Sequence, residues 1–305
     1  MGWRFCGLGW AVACCLAGAV GKGAEGADPD GRGHVVVGFN LKSLTNADVK
    51  DVSAATELWV REIAKRSGLR AEARVFRNDG ELRGAFREGT VDMVSGTTLD
   101  YLRTLRHTKA EVAYGGLAGG KATRRYLVLV PVASAYRHVP DLRGKRLAAK
   151  REEELALLYL NTFLLRSGQE EAGRFFRDIV EKRTWSQAAL ATFFGRADAC
   201  LVTDGAFKTM VALNPQVGER LRVLASSPEL VETLAFFRLE YDGETKRKIR
   251  RAVSGLASSQ YGRQLLLLFR LDDVVALQES DLRTTRALVE EYWALRRGQD
   301  GVAGE

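Results

Sequence analysis

The apolar positions change period along the chain, and those changes mark its elements. His34-Val35-Val36-Val37-Gly38-Phe39 is an apolar run of strand length. Asn40 to Thr45 is a polar loop. Asn46, an N-cap type, then opens a helix to about Ser67, with Val52, Ala55, Trp59 and Ile63 on one face and Gly68 as its stop. Leu69 to Phe76 alternates as a strand does. Asp79 caps a short helix carrying Leu82, Ala85 and Phe86, which Gly89 closes. Val91 to Gly96 is the next strand, and Thr97 or Thr98 caps a helix from Leu99 to His107. Residues 34–107 therefore run β-α-β-α-β-α, the order that builds a parallel sheet with crossover helices.

A second unit of the same kind follows. Tyr126–Val132, Arg146–Ala149, Asp178–Arg183, Ala199–Val202 and Arg222–Ala225 have strand patterns. Helices are predicted over Glu152–Arg166, Glu170–Arg177 and Gln187–Gly195, the last opened by Thr184-Trp185-Ser186. Thr203-Asp204-Gly205 opens another, to about Leu213. Between the units, Gly115 to Gly120 is Gly-rich and predicts a flexible connector. The end of the chain is a strand at Thr233–Glu240 and then helices at Gly243–Ser258, Gln260–Phe269 and Asp281–Arg297. Lys246, Arg247, Lys248, Arg250 and Arg251 give the first of these a solvated basic face.

The start of the chain is of another kind. Arg4 precedes a charge-free run from Phe5 to Val20, and Ala17-Gly18-Ala19 is an A-x-A cleavage site. This is the pattern of a secretory signal peptide over residues 1–24, with a second cut available after Ala24. The run is short for a spanning helix, which leaves an uncleaved anchor as the alternative. Three of the four cysteines, Cys6, Cys14 and Cys15, lie in this leader. Ala11-Val12-Ala13 before Cys14 is a poor lipobox, so lipid anchoring is not expected. Cys200 remains, in an apolar strand, as a core residue.

The 305 residues carry a formal charge of +8, which favours anionic partners without naming one. Three scattered histidines and no C-x-x-C give no metal site, no cofactor motif occurs, and an exported protein has no call on nucleic acid. No G-x-S-x-G or P-loop points to catalysis.

Four stretches, in order along the chain, carry a family resemblance. They are Ala85-Phe86-Arg87-Glu88-Gly89-Thr90-Val91-Asp92, Val139-Pro140-Asp141-Leu142-Arg143-Gly144-Lys145, Gly195-Arg196-Ala197-Asp198-Ala199, and Arg222-Val223-Leu224-Ala225-Ser226-Ser227-Pro228. With them the chain resembles the phosphate/phosphite/phosphonate-binding components of ABC importers, which are type II periplasmic binding proteins. The resemblance implies an α/β fold of two lobes, each a mostly parallel sheet flanked by helices. Lobe I would be residues 34–134 and 226–305, lobe II residues 135–225, with ligand trapped between them by hinge closure. It implies a monomeric periplasmic solute-binding protein, not an enzyme, that hands a small anionic, phosphate- or phosphonate-like ligand to a membrane permease. Two alternatives stay open: a ligand sensor for a membrane receptor kinase, or an enzyme on the same scaffold, which a titratable pair of shifted pKa in an open cleft would favour.

The ligand is expected where polar residues open helices after strands, because free N–H groups and the helix dipole point there. The candidates are Asn40, Ser43, Ser95, Thr97, Thr98, Tyr101, Lys150, Trp185, Ser186, Thr203 and Asp204. Each Ser or Thr could instead be only a helix cap, Tyr101 a buried aromatic, and Lys150 part of a solvated helix start. Asp204 could cap its helix or pair with a ligand amine. Two departures from the family fall at this site. The usual Ser/Thr-rich stretch is replaced by Ala149-Lys150-Arg151-Glu152-Glu153-Glu154, and Gly-Gly-His by Thr184-Trp185-Ser186.

Overall fold

The structure, a computed structural model, describes residues 33–41 and 49–302, all within one unit, Gly33–Glu305. The leader, Ser43 and Asn46 lie outside the described residues. No described helix is long and apolar enough to cross a membrane.

Two sheets form the scaffold. The first contains β1 (His34–Asn40), β2 (Arg70–Phe76), β3 (Met93–Thr97), β4 (Ala110–Leu117), β10 (Thr233–Arg238) and β11 (Asp273–Ala276). The second contains β5 (Tyr126–Pro131), β6 (Arg146–Lys150), β7 (Asp178–Lys182), β8 (Ala199–Thr203) and β9 (Leu221–Ser226). Their strand orders are β11-β4-β10-β3-β1-β2 and β7-β6-β8-β5-β9. The helices are α1 (Val49–Ser67), α2 (Asp79–Arg87), α3 (Thr98–Thr104), α4 (Glu154–Arg166), α5 (Ala172–Phe175), α6 (Trp185–Phe193), α7 (Asp204–Leu213), α8 (Gln216–Arg220), α9 (Gly243–Ser254), α10 (Gln260–Leu268) and α11 (Arg283–Val302).

The two-sheet α/β fold agrees with the expectation, but each sheet is mixed. β1, β2 and β3 are parallel, as are β6, β7 and β8. β10 runs antiparallel between β3 and β4, and β5 runs antiparallel to β8 and β9. These long-range insertions cannot be read from local period. Two strands were not foreseen, β4 and β11. In β4 the pattern is masked by Gly115 and Gly116, which β propensity disfavours. Packing requires them: a Cβ on Gly115 would lie 2.7 Å from Leu277, and one on Gly116 2.5 Å from Leu271. The turn of the Gly-rich segment comes after β4, where Gly119 and Gly120 have φ of 61° and 71°.

The lobe boundaries also differ from those expected. β5 belongs to the second sheet, so the chain first crosses between the sheets at 118–125, and it returns at 227–232. α11 does not pack on the first sheet. Leu288, Val289 and Tyr292 join the core of α4, and Arg166 meets Glu291 at 2.6 Å. At its other end Thr285 accepts a hydrogen bond from the Val231 N–H.

Each sheet is buried on both faces. α1, α9 and α10 cover one face of the first sheet, with Val60, Ile63, Ile249 and Leu266 against Val35 and Val37. Leu82 and Phe86 of α2 cover the other. In the second sheet Cys200 is buried, and that apolar site pushes its thiol up to about 12, as befits a core residue. Tight packing also explains Gly262. A Cβ there would sit 1.8 Å from the Leu256 carbonyl oxygen. Gly262→Ala is therefore expected to cost about 1–3 kcal/mol in a urea melt, through overpacking against backbone. An unchanged midpoint would contradict this packing.

Candidate functional site

The carboxyl ends of the central strands of both sheets open onto one cavity of about 940 Å³. From the first sheet come Asn40 at the end of β1 and Ser95 to Thr97 at the end of β3. From the second come Lys150 at the end of β6, Thr203 and Asp204 after β8, and Trp185 at the start of α6. The crossing segment adds Lys121 to Arg124, and the return adds Glu232. This is the place where α/β sheets hold ligands, because loops leaving the strand ends are free to vary.

Three of the helices that start at this cavity, α3, α6 and α7, are capped by side chains of the chain itself. Thr97 accepts a hydrogen bond from the Asp100 N–H, and the Asp100 carboxylate accepts from the Thr97 N–H and hydroxyl at 2.9 and 2.8 Å. The same carboxylate accepts from the Asn40 amide at 2.8 Å. Asp100 thus occupies the positive end of α3. At α7, Thr203 is the cap, and Asp204 accepts from the Arg125 N–H at 3.2 Å and faces Lys208 at 3.7 Å. At α4 the cap position is Glu153, preceded by Glu152 at φ 61°, a left-handed turn unusual for a side chain with Cβ.

Around Glu153 lies a compact charge cluster that spans both sheets. Lys150, 4% exposed, pairs with Glu153 and lies 5.3 Å from the Trp185 ring centroid. Glu153 also hydrogen-bonds Glu232. Glu232 in turn meets Arg124 at 2.5 Å and accepts from the Tyr126 hydroxyl at 2.9 Å. Burial, and then the neighbouring Glu232 charge, push the Glu153 carboxyl up to about 8, although Lys150 opposes this. Burial also works against the Glu232 charge. Arg124, with hydrogen bonds from Glu153 and Tyr126, outweighs it and holds Glu232 below the usual range. The pair therefore shares one proton near neutrality, with that proton on Glu153.

Of the residues singled out from sequence, Asn40, Ser95, Thr97, Lys150, Trp185, Thr203 and Asp204 line the cavity. Three others do not. The Thr98 hydroxyl is buried and donates to the Val231 carbonyl at 2.7 Å. Tyr101 is fully buried against Phe236, with its hydroxyl on Glu279. Both side chains leave α3 toward the return segment and the core, whereas Thr97, Leu99 and Asp100 of the same junction line the cavity. Ser186 is exposed and outside the cavity, since α6 turns it away while Trp185 points in. Lys150 is not a solvated helix start: it ends β6 and is buried. The α2 cap is Asn78 rather than Asp79. Sequence reasoning missed Arg124, Glu153, Glu232 and Trp59. The run Arg151 to Glu154, which looks like a solvated charge cluster, was the signal for Glu153.

A model of the family described as ABC transporter, phosphonate, periplasmic substrate-binding protein matches residues 43–282. The chain belongs to this family. Solved structures with the same fold include the XAC2383 protein of Xanthomonas citri bound to ATP, 17% identical at a TM-score of 0.67, covering 87% of this chain and 98% of that one. PhnD1 of Prochlorococcus marinus in complex with methylphosphonate is 13% identical at a TM-score of 0.62, covering 85% and 97%. A phosphonate-transporter binding protein of Pseudomonas aeruginosa is 12% identical at a TM-score of 0.61, covering 87% and 88%. No curated protein matches the sequence. Members of this periplasmic family are transporter binding proteins, so the cavity between the sheets is the candidate binding cleft.

Proposed function

We propose that this family member is exported to the periplasm, captures a small solute between its two lobes and presents it to the membrane permease of an ABC importer. The observation that carries the reading is the cavity built from strand ends of both sheets, in which Asn40, Ser95, Thr97, Lys150, Trp185, Thr203 and Asp204 are the proposed contacts. The family supports a phosphonate-like, anionic solute. The starts of α3 and α7 already carry carboxylates of the chain, Asp100 and Asp204, which favours a solute whose charge is not that of a bare oxyanion. Solved relatives hold ligands as different in size as methylphosphonate and ATP, so the fold does not set the class.

The test is a thermal-shift screen against oxyanions, phosphonates, zwitterions and ATP, followed by small-angle scattering with the best hit. Saturation at 100 times Kd should stabilise the protein by about 2.7 kcal/mol. Lobe closure should lower the radius of gyration. A bound ligand that leaves the radius unchanged would count against capture by closure.

The Glu153–Glu232 pair is the observation that favours a second reading, catalysis on this scaffold, because a shared proton in a cleft is the arrangement of an acid–base pair. Incubating the best hit with the protein and following it by NMR separates the readings. An unaltered ligand is the result expected of a binding protein.

A further inference from the structure

Resting on the capture reading, we infer that the solute carries an apolar body, aromatic or branched alkyl, seated in the half of the cavity walled by the first sheet. A volume of about 940 Å³ lies at the upper end of the roughly 300–1,000 Å³ that holds drug-sized ligands. A methyl-bearing head group alone leaves most of that space to water.

The cavity is chemically divided. Its polar groups gather where the strand ends meet, at Thr97, Lys150, Glu153, Asp204 and Glu232. On the side of the first sheet the lining includes Trp59, Tyr114, Leu268, Phe269, Leu271 and Val274, with the exposed Arg270 beside Phe269. Trp59 and Phe269 meet edge to face, with centroids 5.1 Å apart at 78°, so the two large rings form a fixed corner rather than a collapsed stack. Leu268, at the end of α10, is 56% exposed although it lines the cavity. The Tyr114 hydroxyl is 3.5 Å from the Met93 sulfur, so the residue offers its ring to this wall. Trp59, Tyr114 and Leu271 are only partly buried extensions of the core beneath β1 and β3.

Large apolar side chains set at an edge-to-face corner, lining a space that no described residue fills, are a seat for apolar surface. The polar half then binds the head group and orients it. The seat discriminates by body size and the polar half by head chemistry, which makes them separable by experiment.

Calorimetry on two matched pairs tests this: methylphosphonate with phenylphosphonate, and methylamine with benzylamine. In the pair whose head is accepted, the aryl member should bind about tenfold tighter or more, as burial of a ring requires. Trp59→Ala and the exposed-site variant Leu268→Asp should each weaken the aryl member about fivefold or more and leave the methyl member within about twofold. Leu268→Asp guards against misfolding of the tryptophan variant. Equal affinity of methyl and aryl members, or an aryl member indifferent to both substitutions, would overturn the inference. So would failure of all four to bind. In that case a hit from the solute screen keeps the capture reading, and no hit at all removes both.

Discussion

Arg124→Met is expected to lower the stability of the protein at pH 7 by about 2–3 kcal/mol, less than the roughly 3–5 kcal/mol for breaking a fully buried pair, because Arg124 is 34% exposed. The loss comes from Glu232, 11% exposed at its side chain, which keeps its charge because the guanidinium stands 2.5 Å away. Without it Glu232 shares a buried site with a second carboxyl and only Lys150 for compensation. The variant can then relieve the strain by protonating both acids. Its deficit should shrink as pH falls from 8 to 5, in urea melts of variant and parent run side by side. A deficit that is constant over that range would mean that Arg124 contributes packing and not charge. Methionine keeps the apolar stem, so the comparison isolates the head group.

The second large effect is on the pH dependence of the parent. The Glu153 carboxyl is pushed up to about 8 in the folded state, against an ordinary value of 4.5. Between these values the folded chain holds a proton that the unfolded chain has lost. Stability must therefore fall as pH rises across that window, and the penalty is complete above pH 8. Glu153→Gln keeps the hydrogen-bonding shape of the protonated acid and cannot ionise. It should be more stable than the parent by about 1–3 kcal/mol at pH 9, match it near pH 4.5, and lack the slope between. Glu232 acts in the opposite sense: its lowered value gives stability that is lost only as pH falls below the ordinary carboxylate range. A parent whose stability is flat from pH 5 to 9 would place Glu153 outside this cluster.

The alternation of strand and helix was readable because local period reports it directly. Hence β1, β3, β5 and β8, the Thr97, Thr184 and Thr203 caps, and the cavity positions of Asn40, Lys150 and Trp185 were all within reach. The antiparallel place of β10 between β3 and β4 was not, since nothing in Thr233–Arg238 encodes partners more than a hundred residues earlier. Nor was the seat of α11 on α4, which depends on shape complementarity between two apolar stripes. Which side chain of a helix start turns to the cavity, Thr97 and not Thr98, Trp185 and not Ser186, was not legible either, because successive residues are rotated by about 100° around the axis and the fold sets where that axis points. Glu153 and Glu232 are far apart in sequence, and each alone is an unremarkable surface acid. Only the fold brings them together.

The unequal continuity of the two sheets has a consequence for how the chain assembles. Every strand of the second sheet lies within Tyr126–Ser226, so its pairings close inside one continuous stretch. The first sheet is interrupted: β3 and β4 have no direct bond, and the strand that joins them, β10, is made only after the whole second sheet. During synthesis the second sheet is therefore complete while the first still waits with one edge of β3 and both edges of β4 unpaired, since β11 is made later still. Those edges are the surface that must be kept from other chains until β10 and β11 arrive. The later-made half of the molecule, rather than the earlier one, sets the moment at which a cleft first exists.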